Sequence, residues 1–264
     1  MKKWRFLDTQ AHPGAWNMAV DEAILKTHER GLTLPTLRVF QWSPPALSLG
    51  RLQETQDIDF EKCRELGIDV VRRPTGAGAV LHKEELTYSV VVSEKDGFPV
   101  SLRESFQLIN RGLAAACKIL GIEIAFITAP RRNKSALCFL SSGLTDLTFE
   151  GKKLIGSVWM REGHTILQHG SLVILQEPEL LFSIFRFPSE EIKEKALKEF
   201  GEKTTSFKEI FGGLTWQDVR KALFEGFQDA LKIEFSEITR LLVEEEITEA
   251  KKLMAKYETV RGGG

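Results

Sequence analysis

A loop of small residues preceded by two arginines is the stretch of this sequence best suited to contact a ligand. Arg72 and Arg73 lead into Pro74-Thr75-Gly76-Ala77-Gly78-Ala79. Gly76 and Gly78 have no Cβ atom, so the backbone can approach a ligand closely. An arginine at the loop mouth can pair with a carboxylate or a phosphate. The same pattern also suits a hairpin turn with solvated arginines, and it matches neither the P-loop nor the dinucleotide-binding pattern.

Three cysteines are the candidate nucleophiles: Cys63, Cys117 and Cys138. Their odd number and wide spacing argue against a disulfide framework and against a Cys-x-x-Cys metal site. A thiol with a pKa of about 8.5 is only a few per cent thiolate at neutral pH, and a nearby cation increases that fraction. Cys138 follows three basic residues, Arg131, Arg132 and Lys134. Taken alone, however, each cysteine is more typical of a small buried side chain than of a nucleophile.

Composition narrows the class of protein. The 264 residues are 42% hydrophobic and 28% charged, which is ordinary for a globular protein. The 36 Lys and Arg against 37 Asp and Glu give a net charge of −1, which argues against a general nucleic-acid binder. We find no signal-peptide pattern, no apolar run long enough to cross a membrane, and no pair of histidines spaced to bind a metal. The sequence predicts a cytoplasmic protein without a metal, cofactor, membrane or nucleic-acid partner.

Apolar periodicity predicts the elements that must position these residues. Leucine, phenylalanine and isoleucine recur every three or four residues after Ser101, which predicts the strongest helix of the chain. Asn17 is the predicted N-cap of a helix over 18–30. Further helices are predicted at 180–185, from Thr215 to about 232, and at 247–257. The predicted strands cover 37–40, 46–49, 68–71, 86–92 and 122–127, followed by antiparallel strands between 144 and 175.

Strands grouped in meanders, with helices before and after them, predict an α+β fold rather than regular βαβ alternation. No linker composition divides the chain, so residues 1–264 are interpreted as one domain, with a mainly helical part from about residue 178.

Four blocks, in the same order along the chain, resemble the biotin/lipoate protein ligase family. They are residues 17–22, 41–50 and 72–82, and the pair 151–157 with 167–171. The resemblance spans about residues 4–175. It implies the catalytic fold shared by biotin ligases and class II aminoacyl-tRNA synthetases, with a mixed to antiparallel sheet flanked by helices.

Within that family, Glu85-Leu86-Thr87-Tyr88-Ser89-Val90 and Ser135-Ala136-Leu137-Cys138-Phe139 are similar to the octanoyltransferase branch. The resemblance implies transfer of octanoyl from acyl carrier protein to a lysine of a lipoyl domain, through a thioester on Cys138. The acceptor would be the glycine cleavage H protein or a dehydrogenase E2 subunit. Lys153 corresponds to the catalytic lysine. The implied substrate-binding residues are Arg72, Arg73, Thr75, Gly76, Ala77, Gly78, Ala79, His82, Gly156, Ser157, His169 and Gly170.

Alternative functions stay open at this point. A similar cysteine serves amidotransfer of octanoyl or lipoyl between lipoyl-bearing proteins, whereas in an ATP-dependent lipoate ligase Cys138 would be incidental. A non-catalytic protein that binds lipoyl domains is a further alternative. The chain also departs from the family pattern at Ala77, Gly78, Lys83 and Val158-Trp159, where a changed acyl tunnel is expected.

Overall fold

The computed structural model describes residues 1–126 and 146–258, and within them eleven strands form two sheets. The strands are β1 (Lys2–His12), β2 (Thr36–Trp42), β3 (Ala46–Leu49), β4 (Asp69–Arg72), β5 (Val80–His82), β6 (Glu85–Ser93), β7 (Ala125–Phe126), β8 (Leu147–Phe149), β9 (Lys152–Glu162), β10 (Thr165–Val173) and β11 (Ile233–Thr239). The larger sheet has the order β11-β1-β2-β6-β10-β9-β8-β7, and the smaller sheet the order β4-β3-β5.

The larger sheet is mixed. β1 runs parallel to both of its neighbours, β2 and β11, while the remaining pairs, from β2–β6 onward, are antiparallel. The three neighbouring antiparallel strands β6, β10 and β9 keep an uninterrupted register, in which Ser171 lies opposite both Thr87 and Gly156. Because residues directly opposite in an antiparallel pair share a face, this register determines which side chains of the three strands lie together.

Eight helices surround the sheets in the described part of the chain. They are α1 (Gly14–Glu29), α2 (Phe60–Glu65), α3 (Leu102–Ile119), α4 (Pro178–Ser183), α5 (Glu190–Lys203), α6 (Phe207–Phe211), α7 (Trp216–Leu231) and α8 (Glu244–Tyr257). α3 begins where the Ser101 side chain accepts from the backbone N–H of Glu104, and α7 begins with a capping box formed by Thr215 and Asp218. None of these helices is both long and apolar enough to cross a membrane.

Three apolar clusters join the layers. One face of the larger sheet packs against α3 and α7, and the opposite face packs against α1 and α8. The third cluster joins the smaller sheet to α2, α4 and α5. A buried ion pair between Arg5 of β1 and Glu246 of α8, with an N–O distance of 2.5 Å, fastens the last helix to the first strand.

The structure confirms the predicted α+β class and most predicted elements, but the start of α1 differs. The helix begins at Gly14 after Pro13, and Asn17 lies inside it rather than at its N-cap. The Asn17 side-chain amide instead donates to the carbonyl oxygens of His12 and Gln41, at 3.0 and 2.9 Å. The strand expected at 122–127 is described only at Ala125–Phe126. The predicted single-domain organisation stays a prediction, although β11 returns from the helical part to pair with β1.

Candidate active site

A cavity lies where strands β6, β10 and β9 meet the smaller sheet and the loop that precedes β5. Its empty volume is about 470 Å³, including its opening to solvent. The described residues that line it are Met18, Trp42, Ser48, Arg73, Val80, His82, Thr87, Lys153, Gly156, Ser157, Val158, His169, Gly170 and Ser171. Met18, Trp42, Val80 and Val158 give the cavity apolar walls beside its polar groups.

Seven of the residues predicted to form the site line this cavity: Arg73, His82, Lys153, Gly156, Ser157, His169 and Gly170. Thr75 is buried behind the wall and contacts His169. The other predicted binding residues lie on the same strand and loop but do not line the cavity: Arg72, Gly76, Ala77, Gly78 and Ala79. Cys138 and the basic residues before it lie outside the described residues.

Lys153 reaches the cavity because of its place on β9. Its side chain is 4% exposed and its ammonium contacts Asp146 at 3.0 Å. Lys152 points to the opposite side and donates to the Gly201 carbonyl at 2.9 Å, as strand alternation predicts. A Cβ atom on Gly156 would lie 2.8 Å from Cε of Lys153, so this glycine makes the space that the lysine side chain occupies.

The two arginines at the loop mouth serve the protein's own backbone. Arg73 donates to the carbonyls of Gly76 and Gly78 at 2.5 and 2.7 Å, and to the carbonyl of Ser48 at 2.9 Å. Arg72 donates to the carbonyls of Gly50 and Gln53, both at 2.7 Å, and so holds a neighbouring turn instead of reaching the cavity. Arg73 thus faces the cavity and also shapes the loop, whereas Arg72 does not line the cavity, and the expected pairing of these arginines with a ligand anion stays a prediction.

Gly50, directly after β3, lies against the backbone of the loop, while the ligand approach expected at Gly76 stays a prediction. A Cβ atom on Gly50 would lie 1.8 Å from the carbonyl oxygen of Ala77, whereas a Cβ atom on Gly76 would meet nothing within 4 Å. Ala77 adopts a φ of +67°, a left-handed conformation that glycine accommodates more easily than alanine. The loop thus keeps a glycine-like backbone at Ala77, in contact with a glycine from the end of β3.

A hydrogen-bonded chain joins α1 to the loop through His169 of β10. Asp21 Oδ2 lies 2.9 Å from His169 Nδ1, and His169 Nε2 lies 2.7 Å from Thr75 Oγ1. Asp21 also contacts Arg38 at 2.6 Å. Burial alone would raise the pKa of Asp21, but Arg38, His169 and Ser89 lower it below its ordinary value. Burial lowers the pKa of His169, so this imidazole is neutral near pH 7.

A second chain of the same kind passes through His82. Its Nδ1 lies 2.7 Å from Glu85 Oε1, and its Nε2 lies 2.7 Å from Ser48 Oγ. The hydroxyls of Thr87 and Ser171 also donate to Glu85. Burial alone would raise the pKa of Glu85, but these three donors lower it.

The Trp42 ring is part of the same arrangement. It stacks on the His82 ring with centroids 4.0 Å apart and an angle of 12°, and its Nε1 donates to Thr87 Oγ1 at 2.7 Å. Trp42, Asp21 and Glu85 were not among the predicted site residues. Signals for two of them are present in the sequence: Asp21 follows Asn17 by one helical turn, and Glu85 follows His82 by three residues.

Of the departures from the family pattern, Val158 lines the cavity, whereas Lys83 and Trp159 do not, and the expected change of the acyl tunnel stays a prediction. Trp159 is 40% exposed and does not line the cavity, although its neighbour Val158 does. Lys83 pairs with Glu177 at 2.7 Å, away from the lining residues.

Among residues 1–126 and 146–258, no cluster of three or more His, Cys, Asp or Glu side chains could hold a metal ion.

Comparison with known proteins relates this geometry to a family. Residues 13–228 match the model of the lipoyl protein ligase A/B catalytic domain. The chain is 41% identical to a protein named octanoyltransferase LipM from Kyrpidia tusciae, with 97% of each chain covered. It is 37% identical to the protein of that name from Geobacillus kaustophilus, with 97% of this chain and 96% of the relative covered.

Solved structures share the fold. A chain from an archaeal lipoylation system of Thermoplasma acidophilum, a bipartite lipoate protein ligase with its E2 lipoyl domain, has a TM-score of 0.80 at 24% identity. That match covers 97% of this chain and 93% of the other. A lipoate-protein ligase A bound with ATP has a TM-score of 0.78 at 23% identity, over 96% and 95% of the two chains. At these identities the similarity shows the fold alone.

Proposed function

Because this chain belongs to the lipoyl protein ligase A/B catalytic domain family, as its four sequence blocks predicted, we propose that it is an octanoyltransferase of protein lipoylation. The observation that carries the proposal is the near full-length similarity to octanoyltransferases, 41% and 37% identical. The acceptor is a lysine of a lipoyl-domain protein, either the glycine cleavage H protein or a dehydrogenase E2 subunit. The donor is octanoyl–acyl carrier protein. The predicted cytoplasmic location stays a prediction.

The proposed reaction has two acyl-transfer steps. The Cys138 thiolate attacks the thioester carbonyl of the donor, forming a cysteinyl thioester and releasing the carrier thiolate, which takes up the proton that the Cys138 thiol had given up. The neutral amine of the acceptor lysine then attacks the new thioester, which forms the amide and, after the amine gives up a proton, returns the Cys138 thiol. A covalent intermediate of this kind divides one transfer into two easier steps.

Lys153 is the described residue best suited to assist both steps. Its ammonium lies at the cavity wall, nearly buried, and Asp146 holds it in place at 3.0 Å. A positioned cation favours a nearby thiolate and the oxyanion that forms at the carbonyl, and loss of one such donor costs about 3–4 kcal/mol in other enzymes.

The apolar walls of the cavity suit the chain of an octanoyl group. Met18, Trp42, Val80 and Val158 all line it. Each buried methylene contributes about 0.8 kcal/mol, so the six methylenes of an octanoyl chain are worth roughly 5 kcal/mol. An aliphatic thioester therefore has an apolar site for its tail within reach of a buried ammonium.

Intact mass spectrometry after mixing the protein with octanoyl–acyl carrier protein tests the proposal. We expect one octanoyl adduct that forms without ATP, is removed by hydroxylamine and is absent in Cys138→Ser. Donation from an octanoylated lipoyl domain instead would indicate an amidotransferase. Attachment of free octanoate to a lipoyl domain only in the presence of ATP would indicate a ligase, and no adduct with any donor would indicate a binding protein.

A further inference from the structure

Two hydrogen-bonded chains end on the loop formed by residues 73–79 (the 73–79 loop). In each chain one histidine of the cavity wall lies between a carboxylate and a hydroxyl. We propose that His169 and His82 are positioning residues, each oriented by a buried carboxylate so that its Nε2 accepts a hydrogen bond that fixes this loop. The proposal goes beyond the transfer chemistry assigned to Cys138 and Lys153. It explains why the first helix of this protein carries a buried aspartate.

The direction of the first chain follows from Asp21. An ionised carboxylate only accepts hydrogen bonds, so Nδ1 of His169 must carry the proton that it donates to Asp21. In a neutral imidazole the other nitrogen is then an acceptor. Thr75 Oγ1, 2.7 Å away, therefore donates to His169 Nε2. Thr75 is 1% exposed and belongs to the loop, so this bond ties the loop to β10.

The second chain reaches the loop through one more residue. Glu85 fixes the proton of His82 on Nδ1 in the same way, and Ser48 Oγ donates to Nε2. A hydroxyl can accept while it donates, and Ser48 Oγ accepts from Arg73 Nη1 at 3.1 Å. The other guanidinium nitrogen of Arg73 then holds the Gly76 and Gly78 carbonyls. Each hydrogen bond from Glu85 to the loop then has one donor and one acceptor.

This arrangement leaves neither imidazole free to take a proton directly from a substrate. A general base must lie within about 2.6–3.2 Å of the proton it removes, and the proton within that distance of each Nε2 belongs to a protein hydroxyl that is 1% exposed, Thr75 or Ser48. The groups that face His169 are Asp21 from α1, Arg73 from the loop and His82 from β5, with Arg38 of β2 behind Asp21. Burial and the Arg73 guanidinium lower the pKa of His169, and its neutral form keeps the acceptor that the loop requires.

Loop position matters because the loop presents Arg73 and leads into Val80, which both line the cavity. The left-handed Ala77 within it also needs support from surrounding contacts. Loss of the hydrogen bond between Thr75 and His169, which holds the loop, should therefore weaken binding of the acyl donor more than it slows the chemical steps.

The kinetic test compares Thr75→Val, His169→Ala and His169→Gln. We expect the first two to raise KM for octanoyl–acyl carrier protein about tenfold, with kcat changed less than threefold. The double variant Thr75→Val with His169→Ala should be no worse than either single variant, because both remove the same hydrogen bond. His169→Gln, whose amide oxygen can accept from Thr75, should recover most of the loss and keep the pH profile. A kcat loss of a hundredfold or more in His169→Gln would instead identify a base and overturn the proposal.

Nitrogen NMR of histidine-labelled protein tests the same proposal without any activity. The chain has five histidines, and the signals of two can be assigned by their loss in His169→Gln and His82→Gln. The hydrogen bonds place the proton of each ring on Nδ1, so both rings should show a protonated Nδ1 and a bare Nε2. A protonated Nε2 on either residue overturns the proposal, whatever reaction the enzyme performs.

Discussion

Lys152 and Lys153 carry the same charge at neighbouring positions of β9, but only Lys153 lines the cavity. We expect Lys153→Ala to slow Cys138 acylation about 10²–10³-fold, as the loss of an oxyanion donor does elsewhere. Lys152→Ala should change the rate little at about 0.15 M salt, where the Debye length is about 8 Å. Single-turnover acylation followed by mass spectrometry measures both rates. Equal defects would mean that overall charge, and not one placed ammonium, drives the reaction.

Cys63 and Cys117 lie in surroundings that disfavour the reactive thiolate form. Burial raises the pKa of Cys63 to about 11 and that of Cys117 to about 12, so both are thiols at neutral pH. A Cys138→Ala variant should therefore show no thiol that reacts with a disulfide reagent at pH 8 within minutes, and two after unfolding in guanidinium. Fast labelling of the folded variant would show that one of the two buried sites opens readily.

Residue-level prediction succeeded where the signal was local. Strand alternation predicted that only one of Lys152 and Lys153 reaches the site, and the family motif selected Lys153. Asp21 could not be assigned a role in the same way, because its partner His169 lies 148 residues later in the chain. Nothing in the sequence around either residue shows that α1 and β10 lie side by side.

At the scale of elements, the contact between the end of β3 and the 73–79 loop depends on Gly50. A Cβ atom there would enter the Ala77 carbonyl, a backbone group that cannot rotate away. Gly50→Ala should lower the free energy of unfolding by about 1–3 kcal/mol, as overpacking typically does. Gly76→Ala is the matched control and should stay within about 0.5 kcal/mol, because its Cβ would meet open space. Urea unfolding compares the two, and equal losses would contradict this account of the loop.

Helices with a capping residue and a strong apolar periodicity could be predicted from the sequence. A strand buried on both faces and a helix with few buried residues could not. α3 and α7 have both a cap and an apolar face, and the structure confirms them. β1 was missed because it is buried on both faces from Trp4 to Thr9, which removes the alternation that marks a strand. α5 was missed for the opposite reason, since Phe200 is its one buried residue.

For the whole molecule, buried and partly buried carboxylates determine the response to acid. The pKa values of Asp21, Glu22, Glu85 and Asp96 all lie below their ordinary values of 3.8 to 4.5. Lowered folded-state pKa values give stability that is present above the unfolded-state values and is lost as pH falls through the folded-state values. His169, with a pKa below 6.5, adds an earlier loss that begins as pH falls below that value.

Urea unfolding between pH 8 and pH 3 measures this response. We expect a shallow decline below about pH 6.5 and a steep one below about pH 4.5, the ordinary values of the groups involved. Glu85→Gln should lower stability at pH 7 and flatten the steep part, because it removes one of the titrating groups. A free energy of unfolding that stays constant from pH 7 to pH 4 would show that these carboxylates are not held in their charged form.

The parallel pairing of β1 with β11 has a consequence for synthesis on the ribosome. β1 emerges before β11, and the strand that covers its outer edge starts only at residue 233, where Lys2 pairs with Ile233. For most of translation the nascent chain therefore carries a strand with one open edge, a surface prone to mispairing with other chains. A stalled chain ending at residue 231 should be cleaved by protease within β1 sooner than one extended by a linker beyond residue 258. Equal cleavage would mean that this edge is protected before its partner strand exists.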